Sequence, residues 1–426
     1  MPGMIALFVI GLLFLIIYIK LEKCDFVYKI FLYLMVIGFT VYSGVGILFQ
    51  YDSIENNAFL YLIQFFLFCI LFFIASYIVR KYRIHYYMPN LDDIAGTKII
   101  LVLGITYILC YVYACIFSGV DFSNFLNIKQ LFVDYSATTF AVRVARRSST
   151  VYTIVTNQIA NITMPFFYIM LYNFRKKPKL FITLYLLPIV LALVADGYIS
   201  RNKIAVYIAF IFIYLVMEGI IKKRVAAIIV ACAVPLLLFA FAMLESIRSG
   251  NVSNGVSFWV AIKELIISET EYPKFFDYCA DKSKDISLLN YIIYIFVVCI
   301  PSQVYSIFGY TTPNLAYSFT EAVIGLSYAE TNNYYILLPS VLGEAIMLFG
   351  KYFAFLYGFV YGIIATWFLK ILKEHSCLKY LLVYYMLDFF RQFRGGSQYV
   401  ISGWETQLIP LIIIVALIST ITIRRN

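Results

Sequence analysis

Three polar patches carry the residues in this sequence that could do chemistry. "RQFRGGSQ" (391–398) holds Arg391 and Arg394 three residues apart, "DGYISRNK" (196–203) holds Arg201 and Lys203, and "LESIRSGNVSNG" (244–255) holds Arg248. Each lies beside a long apolar run. A guanidinium presents a planar fork of donors that matches phosphate oxygens two at a time. Several forks around one cavity would therefore hold a diphosphate. Each arginine also has a plain structural alternative. Asp388 stands three residues before Arg391, the spacing of an ordinary helical ion pair. Glu405 is placed to neutralise Arg394 from the next helix, and Arg201 and Lys203 can snorkel to an interface from a tight turn. Arg143, Arg146 and Arg147 in "VRVARRSS" read as headgroup contacts on a polar loop.

A group transfer onto a hydroxyl needs a proton acceptor. The two histidines, His85 and His375, both fall among basic loops away from these patches. Among the carboxylates Glu245, Glu321, Glu330, Glu344 and Glu405, Glu344 stands apart because "PSVLGEAIMLFG" (339–350) surrounds it with apolar residues. Burial there would raise its pKa and make it a better base. An ion pair with Arg248 or Arg394 explains the same residue structurally, and both readings stay open. The chain has no GxSxG, Walker A, HExxH or EF-hand pattern, and its eight cysteines form no CxxC pair. Neither a metal nor a cofactor is implied.

The elements that position these residues are legible in the composition. Of 426 residues 63% are hydrophobic and 13% charged, well outside the soluble range. The expectation is an all-α polytopic membrane protein forming one transmembrane domain over 1–426. The net charge of +10 does not point to nucleic acid, because more than half of the 33 basic residues sit in short loops between apolar runs. Crossing ~30 Å of hydrocarbon takes about 20 helical residues. Eleven spans are expected near 4–19, 30–49, 58–79, 98–117, 152–174, 180–197, 204–221, 225–244, 352–370, 380–390 and 402–422. The first is read as a span rather than a removed signal peptide, since no basic leader or small-residue cleavage site flanks it.

"KLEKCDFVYK", "RKYR", "RKKPK", "KKR", "KILKEHSCLK" and the terminal "RR" then fall on one side, which the positive-inside rule makes cytoplasmic. The N-terminus points out and the C-terminus in. One further run, 291–310, would break this parity if it crossed, so it is expected to lie at the interface or re-enter, interrupted at Pro301. The external regions are 118–151 and a large loop over 245–351. On this topology the three arginine patches all face outward, where basic residues are disfavoured without a cavity or partner.

In order, "SRNK" (200–203), "SIRSG" after the next span, a large external loop, "PSVLGEAIMLFG" and Arg394-Gly395 resemble the Wzy-type oligosaccharide repeat-unit polymerases of O-antigen and capsule synthesis. The resemblance covers mainly 180–420. It implies transfer of a growing glycan from its undecaprenyl-pyrophosphate carrier onto a new lipid-linked repeat unit, at the outer face of the bacterial cytoplasmic membrane. Arg201, Arg248, Arg391 and Arg394 would bind the diphosphate, and Glu344 would serve as base. The bilayer, a flippase and a chain-length regulator are the implied partners. One departure is that Ser302-Gln303 follows Pro301, where the family often has a basic residue. Related ligases use a histidine in the external loop, and this loop contains none. A lipid-linked glycan flippase or polysaccharide transporter is the rival, using the same cations without acid–base chemistry.

Overall fold

The computed structural model describes residues 1–82, 91–117, 150–196, 201–248, 263, 266–267, 270–297, 314–325 and 337–423. Side chains of some helical residues, Arg201 and Arg248 among them, fall outside this description. In chain order the helices are α1 (Pro2–Leu21), α2 (Phe26–Phe49), α3 (Glu55–Lys81), α4 (Lys98–Ile116), α5 (Ile154–Asn173), α6 (Pro178–Asp196), α7 (Arg201–Met217) and α8 (Lys223–Arg248). Then come α9 (Phe276–Lys282), α10 (Leu288–Val297), α11 (Leu315–Ile324), α12 (Ser340–Phe353), α13 (Phe355–Glu374), α14 (Lys379–Gly395) and α15 (Gln398–Ile423). No β-strand occurs among the described residues.

Every run expected to span coincides with a helix. Among the described residues eight helices, α1 to α6, α13 and α15, are long and apolar enough to cross a membrane. The other three carry shorter or interrupted apolar stretches among the residues whose side chains are described. The apolar part of α7 is Ile204–Met217, roughly 21 Å at 1.5 Å per residue. In α8 the apolar stretch described is Arg224–Ala233. Lys379, Asp388, Arg391 and Arg394 interrupt the apolar character of α14. Of the run at 291–310, only α10 is described; Pro301 lies outside the described residues, as do Arg143, Arg146, Arg147 and Glu330.

The chain forms two compact units. The first comprises Met1–Tyr86, Ile266–Ile371 and Tyr385–Glu405. Between helices in lipid the hydrophobic effect gives little, so close packing and hydrogen bonds must hold them. Here Gly358 and Gly362, a small-xxx-small pair on α13, let it rest directly on the backbone of α3 at Phe68 and Phe72. Aromatic rings fill the remaining space: Phe39 lies 4.8 Å from Phe65 and 4.5 Å from Phe68, and Phe31 lies 4.3 Å from Phe389. Gln64 clips the α12–α13 junction to α3, donating to Tyr352 O and accepting from Phe355 N, both at 3.0 Å. One end of this unit is basic. Arg80 pairs with Glu22 at 3.0 Å, and Lys370 donates to the carbonyls of Val79 and Tyr82.

The second unit comprises Tyr87–Leu265, Leu372–Tyr384 and Thr406–Asn426. Phe181 stacks on Tyr214 at 3.7 Å, and Phe210 on Tyr185 at 4.3 Å. Its basic loops also share one end. Glu218 accepts from Lys379 Nζ and Tyr380 OH, both at 2.8 Å; Tyr214 OH donates to Arg175 O; and Asp92 accepts from Ser376 and Cys377. Within each unit, then, these contacts join some of the loops that the sequence assigns to one side.

Candidate functional site

The site forms in the first unit, where α12 meets the turn between α14 and α15. Residues 340–348 of α12 are all buried, an unusual environment for a helix carrying Glu344. Glu344 is only 2% exposed. Its Oε2 accepts from Ser397 N at 2.5 Å and from Ser397 Oγ at 2.6 Å, while Oε1 accepts from Gln398 N at 3.1 Å. The two N–H groups belong to the residue that precedes α15 and to the first residue of this 26-residue helix. Such N–H groups lack intrahelical partners and carry the positive end of the helix dipole. The carboxylate thus caps a distant helix. Burial pushes Glu344 up to about 7, and the bonds from Ser397 and Gln398 pull in the opposite direction.

Gly396 makes this clasp possible. Its φ is +93°, a left-handed value, and a Cβ there would run into Glu344 Oε1. Gly396 N donates to Gln392 O at 2.7 Å, closing α14. The Gly-Gly pair after Arg394 is therefore a backbone requirement for bringing Ser397 and Gln398 against the carboxylate. Gln398 also accepts from Leu315 N at 2.8 Å through its side chain, which ties α11 to the same turn.

A chain of hydroxyls leads away from the clasp. Tyr357 OH lies 2.5 Å from Ser397 Oγ and Tyr291 OH lies 2.9 Å from Tyr357 OH. With Ser397 donating to Glu344, Tyr357 must donate to Ser397 and Tyr291 to Tyr357. All the protons in this buried row point towards the carboxylate, an arrangement in which each bond polarises the next.

Arg394 sits one residue before the Gly-Gly pair and is half-buried. Its Nε donates to Tyr272 OH at 2.9 Å, from the segment that leads into α9. Arg391, one turn earlier, pairs through Nη2 with Asp388 Oδ1 at 2.6 Å, the ion pair its spacing allows; its side chain is still 42% exposed. Glu405 is buried and its Oε2 has no hydrogen-bond partner among the described residues. Arg201 opens α7 and Arg248 closes α8, both in the second unit.

Nearby, Asp277 of α9 accepts from Asn57 at 2.8 Å and from Tyr61 OH at 2.5 Å, fixing α9 to the start of α3. Sequence reading did not single out Ser397, Tyr357, Tyr291 or Tyr272. The usable signal was the order Gly-Gly-Ser-Gln before a long apolar run, a flexible turn opening a helix. Tyr357, Tyr291 and Tyr272 are three of 38 tyrosines and carry no mark of their own. Among the described residues no group of histidine, cysteine or acidic side chains is placed to hold a metal ion. Comparison with protein-family models, curated proteins and solved structures finds no match for this chain.

Proposed function

We propose that this chain is a membrane glycosyltransferase that joins undecaprenyl-pyrophosphate-linked repeat units at the outer face of a bacterial cytoplasmic membrane. The topology it assumes is eleven spans with the N-terminus outside and the C-terminus inside. One observation carries the reading. The two segments most like the polymerase pattern, "PSVLGEAIMLFG" and "RGGSQ", meet through Glu344, Ser397 and Gln398, one turn from Arg394.

In the proposed reaction, a hydroxyl oxygen of the incoming repeat unit bonds to the anomeric carbon of the growing chain. The bond from that carbon to the lipid diphosphate breaks, and the diphosphate leaves with added negative charge. Arg394 and Arg391 meet that charge. Donors that meet charge appearing in the transition state accelerate the step rather than merely tighten binding. Glu344 is too buried to touch a sugar, so it acts through the clasp that fixes the turn bearing Arg394. Any proton it takes must arrive through Ser397 and Tyr357. The hydroxyl's proton otherwise leaves to solvent.

The test is the glycan made by cells carrying Arg394→Ala at normal protein level. Long chains should vanish while single repeat units persist, a drop of ~10²–10³ in transfer rate being typical for loss of one such donor. Full-length glycan from that variant would refute the assignment.

A further inference from the structure

We propose that the basic end of the first unit holds one anionic phospholipid of the leaflet it faces. A groove of about 570 Å³ opens there between α1 and α3, lined by Phe14, Ile17, Leu21 and Tyr77 along its length and by Glu22 and Lys23 at its mouth. Phe14 and Leu21 are 62% and 73% exposed on the outer face of α1, where acyl chains are the natural cover. The floor is firm, because Tyr18 stacks on Phe73 at 5.2 Å.

The charge at the mouth selects the headgroup. Glu22 is answered by Arg80 at 3.0 Å. Behind the Tyr77 wall, Arg80 lies 5.9 Å and Lys81 Nζ 5.6 Å from the centre of that ring. Lys23 is exposed at the rim. Arg80 thus answers the one carboxylate, while Lys81 and Lys23 stand beside the groove, at the point where its apolar walls meet the membrane surface. That combination suits a phosphodiester headgroup with its chains laid along the groove, and basic pockets between spanning helices take anionic lipids in this way. The inference does not depend on the glycan reaction.

Native mass spectrometry of the purified full-length protein tests it, with phosphatidylglycerol and phosphatidylcholine of identical chains and glycerol phosphate as a headgroup without chains. The expected result is one retained phosphatidylglycerol, bound about five-fold or more tightly than phosphatidylcholine. Lys23→Glu and Lys81→Glu should each erase the preference while leaving phosphatidylcholine retention unchanged. Ile17→Trp, which fills the groove, should lower retention of both lipids. Equal retention of the two lipids by the wild type would overturn the proposal. So would a preference unaltered in both charge variants, or displacement of the lipid by glycerol phosphate at equal concentration.

Discussion

Glu344 in the first unit and Asp92 in the second accept hydrogen bonds from the same kind of donor set. Each takes a serine hydroxyl, that serine's own N–H and the N–H of the next residue: Ser397 and Gln398 in one case, Ser376 and Cys377 in the other. Their ionisation nevertheless moves in opposite directions. Burial dominates at Glu344 and pushes it up to about 7. At Asp92 burial also pushes upward, but bonds from Cys377 and Ser376 outweigh it and hold the carboxyl below its ordinary value. Asp92 is exposed and Glu344 is 2% exposed. The difference teaches that the donors define the geometry while water access decides the charge. Asp92 is a loop staple; Glu344 is a buried clasp under strain from its own desolvation.

The comparison breaks most severely at Gly396. Gly396→Val forces a β-branched residue to a φ of +93° and drives its side chain into Glu344. Such a change should cost more than ~3 kcal/mol and leave little folded protein, visible as loss of the monodisperse peak after detergent extraction. Removing the carboxylates comes next. Glu344→Gln places an amide against buried donors and should destabilise by ~1–3 kcal/mol, whereas Asp92→Asn, exposed to water, should cost under ~1 kcal/mol. Thermal melting of the two variants side by side checks this order; equal losses would mean that burial is not what separates the two sites.

Acidity sharpens the contrast further. Between the unfolded value of ~4.3 and the folded value of about 7, native Glu344 binds a proton that the unfolded chain does not. Stability should therefore fall as pH rises across that window, and Glu344→Gln should flatten the slope. Asp92 has the opposite sign: its contribution is present above the unfolded value of ~3.9 and is lost as pH drops through the lower folded one. A melting curve of Glu344→Gln with the wild-type pH slope would remove burial as the cause. Among the variants at the Glu344 clasp, the smallest expected effect is that of Tyr357→Phe. It deletes one bond to Ser397 and one to Tyr291, worth ~1 kcal/mol, and should leave the clasp standing. A change in the pH dependence of glycan chain growth in this variant would show that the hydroxyl row carries protons, and an unchanged profile would confine it to packing.

How much of this was legible in the sequence differs by type of interaction. The apolar runs predicted the helices because hydropathy over twenty residues is a strong signal. Alternating basic loops predicted some of the loop contacts, as Arg80 with Glu22 and Lys379 with Glu218 show. The pair of Asp388 with Arg391 followed from spacing alone. Glu344 was placed correctly in an apolar helix, but its expected structural partner was an arginine, and its described donors are Ser397 and Gln398. Backbone N–H groups at a helix start are absent from the letters, so charge matching pointed elsewhere. For the same reason Arg394 was matched to Glu405, whereas its Nε donates to a tyrosine far away in sequence.

The most direct test of the glycan-joining account uses purified protein in detergent, supplied with undecaprenyl-pyrophosphate-linked repeat units and no bilayer. The wild type should lengthen the glycan stepwise and release undecaprenyl pyrophosphate, and Arg394→Ala, folded to the same extent, should not. No growth from active wild-type preparations, or equal growth from the variant, would contradict it.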